Sequence, residues 1–200
     1  MADLATTSSL YELKSLYPSH VAFSISGQPE AVPLIYKYAL NELKQEQDME
    51  LPQGALEQCI RLMDRLREAL LQSTLLCGAS RVIESYYVLS KVIPESLHSK
   101  HVQRDTTKSL NYYHEMGENN VHFMYHERAD ALNRLEKIYA DVSWWVHSIS
   151  YGITYTGTNL LKLMETNFVT AAVIVPMDAP QQLGWQLANA RNMGAMLEEV

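Results

Sequence analysis

Proline and glycine are scarce in this chain, seven and eight in 200 residues, and such sparse punctuation suits long helices. The first amphipathic run is "EAVPLIYKYALNELKQEQ", Glu30 to Gln47, with Val32, Ile35, Tyr36, Ala39, Leu40 and Leu43 on one face. Pro33 is tolerable there because it falls in the first turn, and Pro52 then breaks the chain. In "GALEQCIRLMDRLREALLQSTLLCG" the residues Leu56, Cys59, Ile60, Met63, Leu66, Leu70 and Leu71 keep helical spacing, and Gly78 supplies a stop. Ser80 is placed to cap "SRVIESYYVLSKVI", which ends at Pro94. The two form a helical hairpin whose second helix, apolar on most sides, is expected to be deeply buried.

Residues 95–117 are polar and weakly patterned, a connector with one or two short turns. Beyond it a long helix is expected to about Tyr139, then a second from Asp141, a suitable N-cap, to Tyr151. "GITYTGTN" reads as a loop. The β-branched stretch "FVTAAVIV" suits strand or helix, but the run from Leu160 to Val175 has helical length and ends at Pro176. A last helix spans about Pro180 to Met193 and stops at Gly194. No strand pairs are evident, so the expected class is all-α. The expected organisation is an N-terminal segment (1–28) and one domain (29–200), divided into 29–94, the connector 95–117 and 118–200.

Composition narrows the function. A formal net charge of −7, with no run of basic residues longer than two, argues against nucleic acid as a partner. No apolar span of roughly 18 residues is present, so a membrane-spanning helix is not expected. The start lacks the charged and apolar regions of a secretory signal, and Glu198-Glu199-Val200 is no peroxisomal address. Cys59 and Cys77 read as small apolar residues of a reducing compartment, giving an intracellular protein without disulfides.

Two segments together resemble a known family. "LREALLQSTLLCGASRVIESYYVL" is similar to the helix–Gly–helix element of carboxymuconolactone decarboxylase-like proteins, relatives of the alkylhydroperoxidase-D proteins. "METNFVTAAVIVPMDAPQQLGWQLANARNMGAMLEEV" resembles the other element of that family: Glu-Thr, an apolar helix, a turn, a helix carrying His, then Asn-x-Gly-Ala. "GENNVHFMYHERADALNRLEKIYADVSWWVHSISYG" looks like the linking part of its fungal branch. The resemblance covers about Ala31 to Val200 and implies an all-α fold built from helix hairpins. The Glu-Thr hairpin here comes last rather than first, which implies either two degenerate repeats or a permuted unit. It also implies a homo-oligomer.

In the peroxidase branch the resemblance places a Cys-x-x-Cys-x-x-x-His run on the second helix of the hairpin, with a Glu on the first. Carried onto this chain, those positions are Ala179, Gln182, Gln186 and Glu165. Both thiols and the imidazole are missing. A glutamine amide does not titrate, so Gln186 cannot relay a proton near neutral pH. Glu165 survives, either as a first-turn acid favoured by the helix dipole or as an acid/base.

A second cluster is the stripe His114, Glu118, His122 and His126, in which His122 and His126 have the i, i+4 spacing of a metal-binding pair but no third ligand. Gly117 is expected to break the helix inside that stripe. Trp144, Trp145, Tyr151 and Tyr155 suit core or interface packing, or a pocket. No cofactor-binding motif is present. Two functions follow. One is a degenerate family member kept as a helical oligomeric scaffold. The alternative is an enzyme on a small organic acid, decarboxylase- or hydrolase-like, with Glu165 as acid/base, Gln186 and Trp185 at the substrate, and Arg191 or Arg81 holding its carboxylate.

Overall fold

The structure, a computed structural model, describes residues 16–45 and 53–196. Among the described residues every regular element is helical. Helix α1 (16–25) ends before Gly27, whose φ of 72° lets the chain turn into a short 3-10 turn, Pro29–Ala31. Helix α2 is Val32–Gln45, with Pro33 in its first turn, and α3 is Gln53–Cys77. Gly78, at φ 87°, ends α3 and leads directly into α4, Ala79–Ser90. The cap position is therefore Gly78 rather than Ser80, and no side chain caps α4.

Helix α4 is less buried than its composition suggests. Val82, Ser85 and Leu89 face inward, whereas Ile83 and Tyr87 are 48% and 62% exposed. The reason is that α2, α3 and the Pro29–Ala31 turn cover only one side of it.

The first core gathers Leu16, Val21 and Ile25 of α1, Tyr36 of α2, Met63, Leu66 and Leu70 of α3, and Val82 and Leu89 of α4. Val169 and Val173 join it from α9, Leu163–Ile174, which packs along α3. Residues 16–25, which sequence reading assigned to a separate N-terminal segment, thus contribute to the same core. Residues 1–15, Pro52 and the terminal Glu-Glu-Val lie outside the described residues.

The connector holds one 3-10 turn, Glu95–Leu97, before Ser109 caps α5 (Leu110–Tyr125) by accepting the Tyr112 N–H at 3.1 Å. Arg104 ties this connector down. Its guanidinium grips the buried Glu68 carboxylate of α3 at 2.7 and 3.2 Å and donates to the carbonyls of Ile153 and Thr154.

The expected long helix to Tyr139 is not formed. Helix α5 ends at His126, whose φ of 49° is incompatible with continuing the helix. The chain then proceeds through a 3-10 turn and two short helices, α6 (Ala129–Asn133) and α7 (Leu135–Ile138). Helix α8 (Ala140–Trp144) follows, with Asp141 in its first turn and Tyr139 at the cap position. It runs on into a π-helical segment, Trp145–Thr154.

Gly117 does not break α5. It is buried mid-helix, where a Cβ would collide with the His147 backbone, and a Cβ on Gly152 would collide with the Tyr113 carbonyl. The two glycines let the backbones of α5 and the π-helical segment close on each other. A second core then forms from Val121, Met124 and Tyr125 of α5 and Tyr151 and Tyr155, with Trp185 packed against it. Among the described residues no helix is long and apolar enough to cross a membrane, and both cysteines are free thiols.

Candidate functional site

The apolar run of α9 buries all but one side of the helix, and α10 (Pro180–Asn192) folds back along it through a 3-10 turn, Val175–Met177. Asp178 makes the reversal in a left-handed conformation (φ 52°), and Pro180 opens α10 in the first-turn position that proline tolerates. Asn167 fixes the register by donating to the Gln186 carbonyl at 2.7 Å. This places the Gln186 side chain, 6% exposed, against the second core.

There the Gln186 amide donates to the Tyr125 hydroxyl at 3.1 Å, and the Tyr125 and Tyr151 hydroxyls lie 2.6 Å apart. Thr170 approaches the Gln186 amide oxygen at 3.4 Å. Burial first, and the adjacent Tyr125 second, hold the Tyr151 pKa well above the usual phenol value. Burial also raises Tyr155. The Tyr151 and Tyr155 phenols are therefore neutral at physiological pH.

Beside it lies a cavity of about 210 Å³. Its walls are apolar, from Leu75 and Leu76 of α3, Leu132, Trp145, Val146, Ile174 and Met177. Among the described residues its polar groups are Ser150, Tyr125, Tyr151, Tyr155, Gln182 and Gln186, and no charged side chain lines it. Ser150 is 4% exposed, and its hydroxyl has no hydrogen-bond partner among the described residues.

The structure brings Gln182 and Gln186 together at this cavity, and Ala179 with them, but not Glu165. Glu165 faces α3, where Arg65 donates to one carboxylate oxygen while the other accepts the Lys162 backbone N–H at 2.8 Å. Arg65 also lies 5.0 Å from the centroid of the Tyr17 ring. Arg191 is exposed in the last turn of α10, and Arg81 donates to the Ile25 carbonyl. Neither lines the cavity. Trp185 packs edge-on against Tyr125 at 6.3 Å between centroids.

The histidine stripe borders a separate polar groove of about 640 Å³, lined by His114, Glu118, His122, Glu136, Trp144 and His147 among others. His126, at the end of α5, does not line it. Here Ser148 meets His114 Nδ1 at 2.8 Å, and His114 Nε2 lies 3.5 Å from Glu118. The order of groups is that of a hydrolase relay, but Ser148 is fully buried and does not line the groove, so it fixes the ring rather than attacking a substrate. His147 Nδ1 lies 2.8 Å from the Ser143 carbonyl and so carries the proton in the neutral ring. Among the described residues no three His, Cys, Asp or Glu side chains are placed to hold a metal ion.

Sequence reading missed the partners that decide these roles. Arg65 is 100 residues from Glu165, and Tyr125 is 61 from Gln186, separations no local pattern spans. The Tyr151–Tyr155 spacing was the usable signal, since it set two phenols on one side of the cavity. Comparison with known proteins returns no matching family model, curated protein or solved structure.

Proposed function

We propose that the chain is a catalytically silent protein of the carboxymuconolactone decarboxylase-like class, serving as a helical homo-oligomeric scaffold. The observation that carries this reading is the divergence of the two family positions across α9. Glu165 is held by Arg65 and a backbone N–H on the α3 side, and Gln186 is held by phenols on the α5 side. A proton relay needs its members within hydrogen-bond reach of one reacting atom, and Glu165 does not line the cavity beside Gln186.

The packing of α3 on α9 supports the permuted-unit reading, because it joins the two resembling hairpins through their first helices. Ile83 and Tyr87 on α4, with Trp144 and Trp145, supply exposed apolar surface suited to contact between copies. The organic-acid reading loses its carboxylate grip, since neither Arg81 nor Arg191 lines the cavity beside Gln186.

Assays of thiol-dependent peroxide reduction and of decarboxylation or hydrolysis of small organic acids are expected to show no turnover. Turnover abolished by Glu165→Gln would overturn the silent reading. Size-exclusion chromatography with light scattering is expected to give a multiple of 22.8 kDa, and a strict monomer would remove the scaffold.

A further inference from the structure

We infer that the cavity beside Gln186 binds a small, neutral, ring-based carbonyl compound. This deepens the reading of the same hairpin, and the two stand or fall separately. Turnover would overturn catalytic silence without touching binding, and absence of binding would leave the silence intact.

Size sets the first limit. An apolar cavity of about 150 Å³ accommodates benzene, so about 210 Å³ takes one six-membered ring with a short substituent. Charge sets the second. With no Lys, Arg, Asp or Glu among the described residues that line it, the cavity would strip water from an ionic ligand and return no partner.

Hydrogen bonding sets the third. Tyr125 and Tyr151 carry two hydroxyl protons between them, and their shared bond uses one. The Gln186 amide occupies the Tyr125 oxygen as a donor, so it consumes neither proton. One phenolic O–H therefore stays outside the hydrogen bonds among these three side chains and is free to meet an acceptor. The Ser150 hydroxyl, buried and unpaired at the same cavity, is a second O–H in need of one. A buried donor without an acceptor is costly, and a ligand carbonyl oxygen, with two lone pairs, would satisfy both. An apolar ring fits the Leu75, Leu76, Val146 and Ile174 walls, with Trp145 placed to report its arrival.

The test uses the full chain at pH 7 with three probes of similar size: acetophenone, ethylbenzene and benzoate. Calorimetry and tryptophan fluorescence are expected to show saturable acetophenone binding with a Kd of about 1 mM or tighter. Ethylbenzene, which lacks the acceptor, should bind about tenfold more weakly, and benzoate should not bind. Ser150→Ala, which only removes a hydroxyl, and Tyr151→Phe should each shrink the acetophenone-over-ethylbenzene preference several-fold. Circular dichroism would verify that both variants are folded. No saturable acetophenone binding, equal affinity for acetophenone and ethylbenzene, benzoate binding as tight as acetophenone, or a preference unchanged in both variants would overturn the assignment.

Discussion

The core beneath α1–α4 and α9 and the core between α5, the π-helical segment and α10 bury similar kinds of surface with different side chains. In the first, Val21, Leu66, Leu70, Val82 and Val173 fill space by close packing, although Tyr17 and Tyr36 are buried there too. In the second, Tyr125, Tyr151 and Tyr155 bring hydroxyls inside, Gln186 follows them, and a cavity is left beside Ser150. An aliphatic core is specified by volume alone. A phenolic one must also place hydrogen-bond partners, and where partners run short it leaves donors that a ligand can use. The cavity with the unpaired Ser150 hydroxyl thus lies beside the second core.

The Arg104 clamp joins the halves, so removing it is the strongest way to break the comparison. Arg104→Ala leaves Glu68 buried without its cation and is expected to destabilise the fold by about 3–5 kcal/mol in urea unfolding. If the two transitions then separate, the halves owe their cooperativity to this clamp. Leu66→Ala, a cavity in the aliphatic core, should cost about 3 kcal/mol and leave probe binding at the tyrosine core unchanged.

A pH series sharpens the contrast further. Burial lowers the His20 pKa from 6.5 to about 3. The unfolded chain therefore takes up the proton first, and the stability linked to neutral His20 is complete above pH 6.5 and lost as pH falls towards 3. Between pH 7 and pH 5 the loss is about 2 kcal/mol, and His20→Leu should flatten that part of the curve. Ser150→Ala should have the smallest effect, within about 0.5 kcal/mol, because it deletes an unpaired hydroxyl. A large loss there would mean that Ser150 has a structural partner after all.

The all-α class and the breaks at Gly78 and Pro176 were legible because helical periodicity and backbone punctuation are local signals. The interruption at His126 was not legible, since apolar residues continue on either side of it and the strained φ belongs to one ordinary residue. Gly117 misled for the opposite reason. Glycine lowers helix propensity, but here its missing side chain serves a neighbouring backbone that sequence alone does not place. The π-helical run at Trp145–Thr154 likewise follows no 3.6-residue template. At the candidate site, residue types told that the Gln186 amide cannot relay a proton, while the pairing of Glu165 with Arg65 depended on how α9 lies along α3.

The meeting of Gly117 with the His147 carbonyl, and of Gly152 with that of Tyr113, limits the routes open to mutation. What blocks a larger residue at either position is main chain, which every amino acid shares. Trimming a facing side chain cannot make room, so no compensating substitution across the contact is available. Both sites should stay glycine under random mutagenesis with selection for folded protein, even where every surrounding position drifts.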